Sequence, residues 1–145
     1  MDRVVFVTDR PPHDILPALP FHIIVESFDA GLVERVLDIG PALVIVDGQG
    51  QPERAYSAMD SLAEAHTRMP LVAMVPSEDF GRCLWEEVAD ELITPGASQA
   101  EVRTRLAMVL RRLGETGRAV LRVGPLSLNP DTYQVRLERR VLDLT

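Results

Sequence analysis

The stretch Ala42-Leu43-Val44-Ile45-Val46-Asp47-Gly48-Gln49-Gly50-Gln51-Pro52 decides how this 145-residue chain folds. Four consecutive aliphatic residues, three of them β-branched, read as a strand buried on both faces of a parallel sheet. The run stops at a carboxylate, Asp47, where a Gly-rich loop begins. In open α/β sheets, sites form outside the carboxyl ends of the strands. Asp47 is therefore either a working acid or the relic of one.

Other apolar runs fall on both sides of this strand. Val4-Val5-Phe6-Val7 and Ile23-Ile24-Val25 precede it; Leu71-Val72-Ala73-Met74-Val75 and Leu92-Ile93 follow. Helical periodicity separates them. Pro11, Pro12, Pro17 and Pro20 keep any first helix short. A second helix is expected over about Ala30–Ile39, stopped by Gly40-Pro41. Pro52 opens a third, with Ala55, Met59, Leu62, Ala63 and His66 as its inward stripe. Ser77 is expected to cap a fourth that runs to about Ala89, with Glu78 and Asp79 in its first turn. Ser98 and Glu101 form a capping box for a fifth, which carries Val102, Leu106, Val109, Leu110 and Leu113 inward. Five strand–helix units imply an α/β fold, a five-stranded parallel, doubly wound sheet of the flavodoxin/CheY-like kind.

The pattern changes at Gly114-Glu115-Thr116-Gly117, which reads as a linker. Beyond it, Leu121–Val123, Leu126–Leu128, Tyr133–Leu137 and Val141–Leu144 have the spacing of hairpin strands, with turn chemistry at Asn129-Pro130-Asp131. The expected organisation is a domain over 1–113, a linker over 114–120 and a short antiparallel β segment over 121–145. Strands this short cannot bury a core alone. Thr145 is a good helix cap with no helix after it, so the tail is expected to open a second domain of a longer protein.

The net charge of −7 argues against a general polyanion-binding surface. Residues 1–113 hold ten Arg against 18 acids, and 114–145 five Arg against four; there is no Lys. No apolar run is long enough to span a membrane. One cysteine, Cys83, and no leader pattern point to the cytoplasm. Cys83 has no sequence-local base and reads as a plain helix residue. His13, His22 and His66 share no metal-ligand spacing.

In the order of these motifs, residues 1–113 resemble the receiver domain of two-component response regulators. Val4–Asp9 fits the first strand and its acidic loop, Leu43–Asp47 the strand that ends in the phosphoacceptor, Pro70–Val75 the fourth strand and Asp90–Pro95 the approach to the fifth loop. Leu121–Thr145 resembles the opening sheet and helix cap of an OmpR/PhoB-type winged-helix domain. The resemblance makes Asp47 the phosphoacceptor-equivalent residue. It also exposes departures. Thr8-Asp9 stands where receivers have two acids for Mg²⁺. Val75 stands in place of their Thr or Ser, with Ser77 two residues on. Thr94 precedes Pro95 where they have Lys, and Leu92 or Glu91 replaces their aromatic switch. Phosphoryl transfer depends almost wholly on positioning and electrostatics, so such losses remove most of the stabilisation.

The chain is most similar to atypical, orphan OmpR/PhoB-type regulators such as the GlnR-type nitrogen regulators. That resemblance implies a homodimer formed without phosphorylation, through the fourth helix, fifth strand and fifth helix. The face includes parts of Phe80–Val88 and Glu101–Arg112, with Leu84, Trp85, Val88, Arg103 and Arg111. DNA would be bound only through the part of the winged helix that follows. No cofactor is expected; Asp9 and Asp47 are weak Mg²⁺ candidates. Plainer readings stand alongside. Asp47 is satisfied by Thr8 or a backbone amide and paired with Arg10. Asp9 caps the first helix. Trp85 and Leu84 pack on the core, and Glu101, Arg103, Arg105, Arg111 and Arg112 are a solvated face. Two alternative functions stay open: a small-molecule-sensing module using the vacated pocket, and a conventional phosphoacceptor at Asp47.

Overall fold

The structure, a computed structural model, describes residues 2–10, 18–65, 69–123, 138–139 and 141–142. Strands β1 (Arg3–Val7), β2 (His22–Glu26), β3 (Leu43–Asp47), β4 (Leu71–Met74) and β5 (Glu91–Ile93) form one sheet in the order β2-β1-β3-β4-β5. Every pairing is parallel. From β1 the chain first moves outward to β2, then crosses back to β3. The crevice between the ends of β1 and β3 is thus the topological switch point, where such sheets place their sites.

Successive side chains on a strand point to opposite faces. Val5, Val7, Val44, Val46, Ala73 and Val75 join one buried cluster with residues of helices α1 (Leu32–Ile39) and α2 (Pro52–Glu64). Val4, Phe6, Ile45, Val72 and Met74 join a second, closed by Val102 and Leu106 of helix α3 (Gln99–Val123). Both faces of the inner strands β1, β3 and β4 are covered, which is why their central runs are apolar. Each fully buried Val, Leu, Ile or Phe contributes roughly 1.5–3 kcal/mol.

The helix ends follow local chemistry. Gly40 closes α1 in the left-handed conformation at φ 61°. Pro52 stands in the first turn of α2. Ser98 Oγ accepts the Glu101 amide at 3.1 Å, which is the cap expected for α3. Ala63, assigned to the inward stripe of α2, is exposed; it lies 100° around the helix from the buried Leu62.

The β4–β5 connection is not the expected helix. It holds two 3₁₀ turns, Ser77–Asp79 and Trp85–Glu87. Gly81 weakens any helix there by about 1 kcal/mol. The Asp79 carbonyl takes the Arg82 amide at 3.0 Å and the Trp85 indole N–H at 3.1 Å. An α-helix would have given that carbonyl to residue 83. Burying Trp85 outweighs helix propensity.

The chain divides into two compact units, Met1–Leu110 and Arg111–Thr145. The expected linker over 114–120 and the expected strand Leu121–Val123 are helical, within α3. Gly114 and Gly117 cost about 1 kcal/mol each in a helix, and Glu115, Arg118, Ala119, Leu121 and Arg122 around them are strong formers. Leu126–Leu128 and Tyr133–Leu137 lie outside the described residues. In the rest of the tail Glu138–Arg139 and Val141–Leu142 pair as one irregular two-residue ladder.

Candidate functional site

Asp47 ends the central strand, with only 4% of its side chain exposed. A carboxylate in that position needs donors, and both its oxygens have them. Thr8, one residue past β1, donates its hydroxyl to Oδ2 at 2.7 Å. The Gln49 backbone N–H and side-chain amide donate to Oδ1 at 3.1 and 3.2 Å. The Arg10 guanidinium lies 3.9 Å from Oδ2. Thr8 in turn accepts the Arg10 amide at 3.0 Å, so its hydroxyl is directed at Asp47.

Gly48 is fixed by close approach. Its amide bonds the Met74 carbonyl at 2.8 Å. A Cβ there would sit 2.6 Å from Val75 Cγ1 and 3.2 Å from Ala55 Cβ. Gly50 turns the loop at φ 80°, which brings Gln51 and α2 back over the strand end.

Asp9 faces α2. Its carboxylate pairs with Arg54, whose guanidinium also lies over the Phe28 ring, 4.2 Å from the centroid. Asp9, Arg10, Phe28, Asp47, Gln49 and Arg54 line a cavity of about 270 Å³. Among the described residues, no group of three or more His, Cys, Asp or Glu is placed to hold a metal.

The structure thus brings Thr8, Asp9 and Asp47 together, with Val75 packed beside Gly48. Val75 is fully buried in the core. Thr94 lines a different cavity, of about 540 Å³, with Phe80, Glu86, Leu92, Glu101 and Arg105. Gln49 and Arg54 were missed. Gln49 had a signal: Asp-Gly-Gln invites a carboxylate to bond the amide two residues on. Arg54 had none, because Asp9 and Phe28 are remote in sequence.

The residues assigned to a docking face fall into two groups. Leu84 is 57% exposed, and Arg103 and Arg111 are exposed. Trp85 and Val88 are buried at 2% and 8% exposure, so they support that surface from beneath and do not form it. Trp85 packs edge-on against Tyr56, with centroids 5.9 Å apart. Tyr56 donates to Glu87 at 3.2 Å; desolvation first, then Glu87, pushes its phenol above the usual value. Cys83 is half-buried in the 3₁₀ connection and not on a helix, and burial raises its thiol. No described helix is long and apolar enough to cross a membrane.

The fold is similar to the signal receiver domain of a protein assigned as a Luxo repressor from Vibrio parahaemolyticus. The two are 15% identical, with a TM-score of 0.64 over 81% of this chain and 96% of that one. No curated protein matches the chain significantly. Residues 1–110 match the family described as "Transcription regulator GlnR, N-terminal domain". With a receiver fold and three-quarters of its length in that match, the chain belongs to the family of GlnR N-terminal domains, the receiver part of a transcription regulator.

Proposed function

We propose that this receiver domain drives homodimerisation without phosphorylation of Asp47, and that its pocket no longer transfers phosphoryl groups. The observation that carries this reading is the hydrogen bonding of Asp47. Both oxygens accept donors from the protein itself, from Thr8 and from Gln49. A carboxylate so engaged must break charge-assisted bonds before it attacks a donor, and such bonds are about twice as strong as neutral ones.

The residues do not suit Mg²⁺. That ion demands a near-octahedral set of oxygens. Here Thr8 supplies a hydroxyl already given to Asp47, and Asp9 is paired with Arg54. Arg10 and Arg54 bring two positive charges to the place a divalent cation would occupy. The dimer surface is the side of the first unit with Leu84 and the exposed flank of α3 at Arg103. DNA reading is assigned to an OmpR/PhoB-type winged-helix domain that follows α3.

Light scattering tests this on the unmodified chain. We expect about twice the chain mass at micromolar concentration, unchanged by acetyl phosphate with Mg²⁺ and unchanged in Asp47→Asn. A monomer that dimerises only on phosphorylation would overturn the reading. So would stoichiometric labelling of Asp47 within minutes.

A further inference from the structure

We infer that the cavity at the ends of β1 and β3 binds a small oxyanion, a carboxylate or a phosphate, between the guanidinium groups of Arg10 and Arg54. The inference rests on the reading of Asp47 as a structural carboxylate, because an ionised side chain already satisfied leaves its neighbours free for another guest.

The inventory of donors and acceptors carries it. On the acceptor side, Asp47 takes Thr8 and Gln49, and Asp9 takes Arg54. On the donor side there is, among the described residues, a surplus. A guanidinium presents five N–H groups in a rigid fork. Arg10 gives one to the Gln49 carbonyl at 3.1 Å, and its Nε stands 3.9 Å from Asp47, too far for a hydrogen bond. Arg54 gives one to Asp9 and lays its plane on Phe28. The two side chains are 47% and 44% exposed, so the remaining donors open to the cavity and to solvent.

An oxyanion supplies what is lacking. Carboxylate and phosphate present paired acceptors that match the guanidinium fork, and such bidentate contacts are the strong ones. Stacking on Phe28 holds the Arg54 plane in advance, which lowers the ordering cost of the contact. Two arginines and two carboxylates leave the lining neutral, so an anion meets no net repulsion. A volume of about 270 Å³ lies at the lower edge of the ~300–1,000 Å³ of drug-sized sites, which suits an ion the size of phosphate or a small dicarboxylate. Gly50 lies at the rim beside Arg10: a Cβ there would lie 3.4 Å from Arg10 Nη2.

The test is an NMR titration of the whole chain at constant ionic strength. Sodium phosphate and sodium malonate form the two arms, with sodium chloride as the control. We expect saturable shifts at Gln49, Gly50 and the Arg Nε–H groups, half-complete at or below about 10 mM. The tighter arm identifies the phosphate or the carboxylate as the preferred guest. Arg10→Met and Arg54→Met should each weaken binding at least tenfold, and Arg3→Met, at the exposed start of β1, should leave it unchanged. Should a Met variant unfold, the Lys variants keep the charge, lose the fork and should still weaken binding. Shifts that do not saturate, that chloride reproduces, or that survive loss of either guanidinium would overturn the inference. A mass gain at Asp47 with acetyl phosphate is a separate reading and bears on the proposed function alone.

Discussion

At the ends of β1 and β3, polar atoms meet partners at close range, and the loop Gly48–Gln51 is held by its own backbone. The connection from β4 to β5 is held differently. Its two 3₁₀ turns leave Phe80 and Leu84 exposed, at 39% and 57%. It stays in place through one buried indole and contacts to α2: Tyr56 with Trp85 and Glu87, and Arg82 with Glu53 at 2.9 Å. The first region is determined by hydrogen-bond satisfaction, the second by packing.

The strongest test of that contrast is Trp85→Ala. Removing a buried aromatic costs about 3–5 kcal/mol, read as a lower urea midpoint. Hydrogen exchange should quicken over residues 77–90 while the Gln49 amide stays protected. Equal loosening of both regions would break the comparison. Thr8→Val removes the hydroxyl that Asp47 accepts at similar volume, and should cost about 1.5–3 kcal/mol. Thr8→Ser should restore most of it; a neutral Thr8→Val would mean the hydrogen bond is dispensable.

Gly48→Ala forces a methyl against Val75 and should cost about 1–3 kcal/mol. Combining it with Val75→Ala should recover part of the loss, which a double-mutant cycle measures. Smallest is a pH effect at the start of α1. Arg35 hydrogen bonds to Asp29 at 2.7 Å and holds its carboxyl below the ordinary 3.8. The folded value is the depressed one, so this contribution is present above pH 3.8 and fades as pH falls through the folded value. Arg35→Met should flatten the acid limb of the stability curve below about pH 4. An unchanged limb would show that exposure has screened the pair to nothing.

The sheet was legible because five apolar runs on alternating helical patterns permit few topologies. Asp47 was legible because its strand ends in a lone acid beside glycine. The fourth helix was misread because Ser77, Glu78 and Asp79 supply every local start signal, while the decisive burial of Trp85 against Tyr56 is a contact 29 residues long. Trp85 and Val88 were set on a docking face by likeness to a family pattern, while the plainer reading of Trp85 as a core residue fits its 2% exposure. Thr94 was grouped with Asp47 by likeness to a family pattern, and the structure lines a separate cavity with it. In α3, two glycines read as a break, but strong helix formers carry the helix through them.

The first turn of α2 serves both regions at once. Arg54 reaches Asp9 and Phe28, while Glu53 reaches Arg82 and Tyr56 reaches Trp85. These three residues span only about 4.5 Å of helix axis. A rigid helix cannot tilt at Arg54 and stay still at Tyr56, so α2 is a fulcrum. Any load on the guanidinium at one end arrives at the indole on the other side within a single turn, without passing along the sheet.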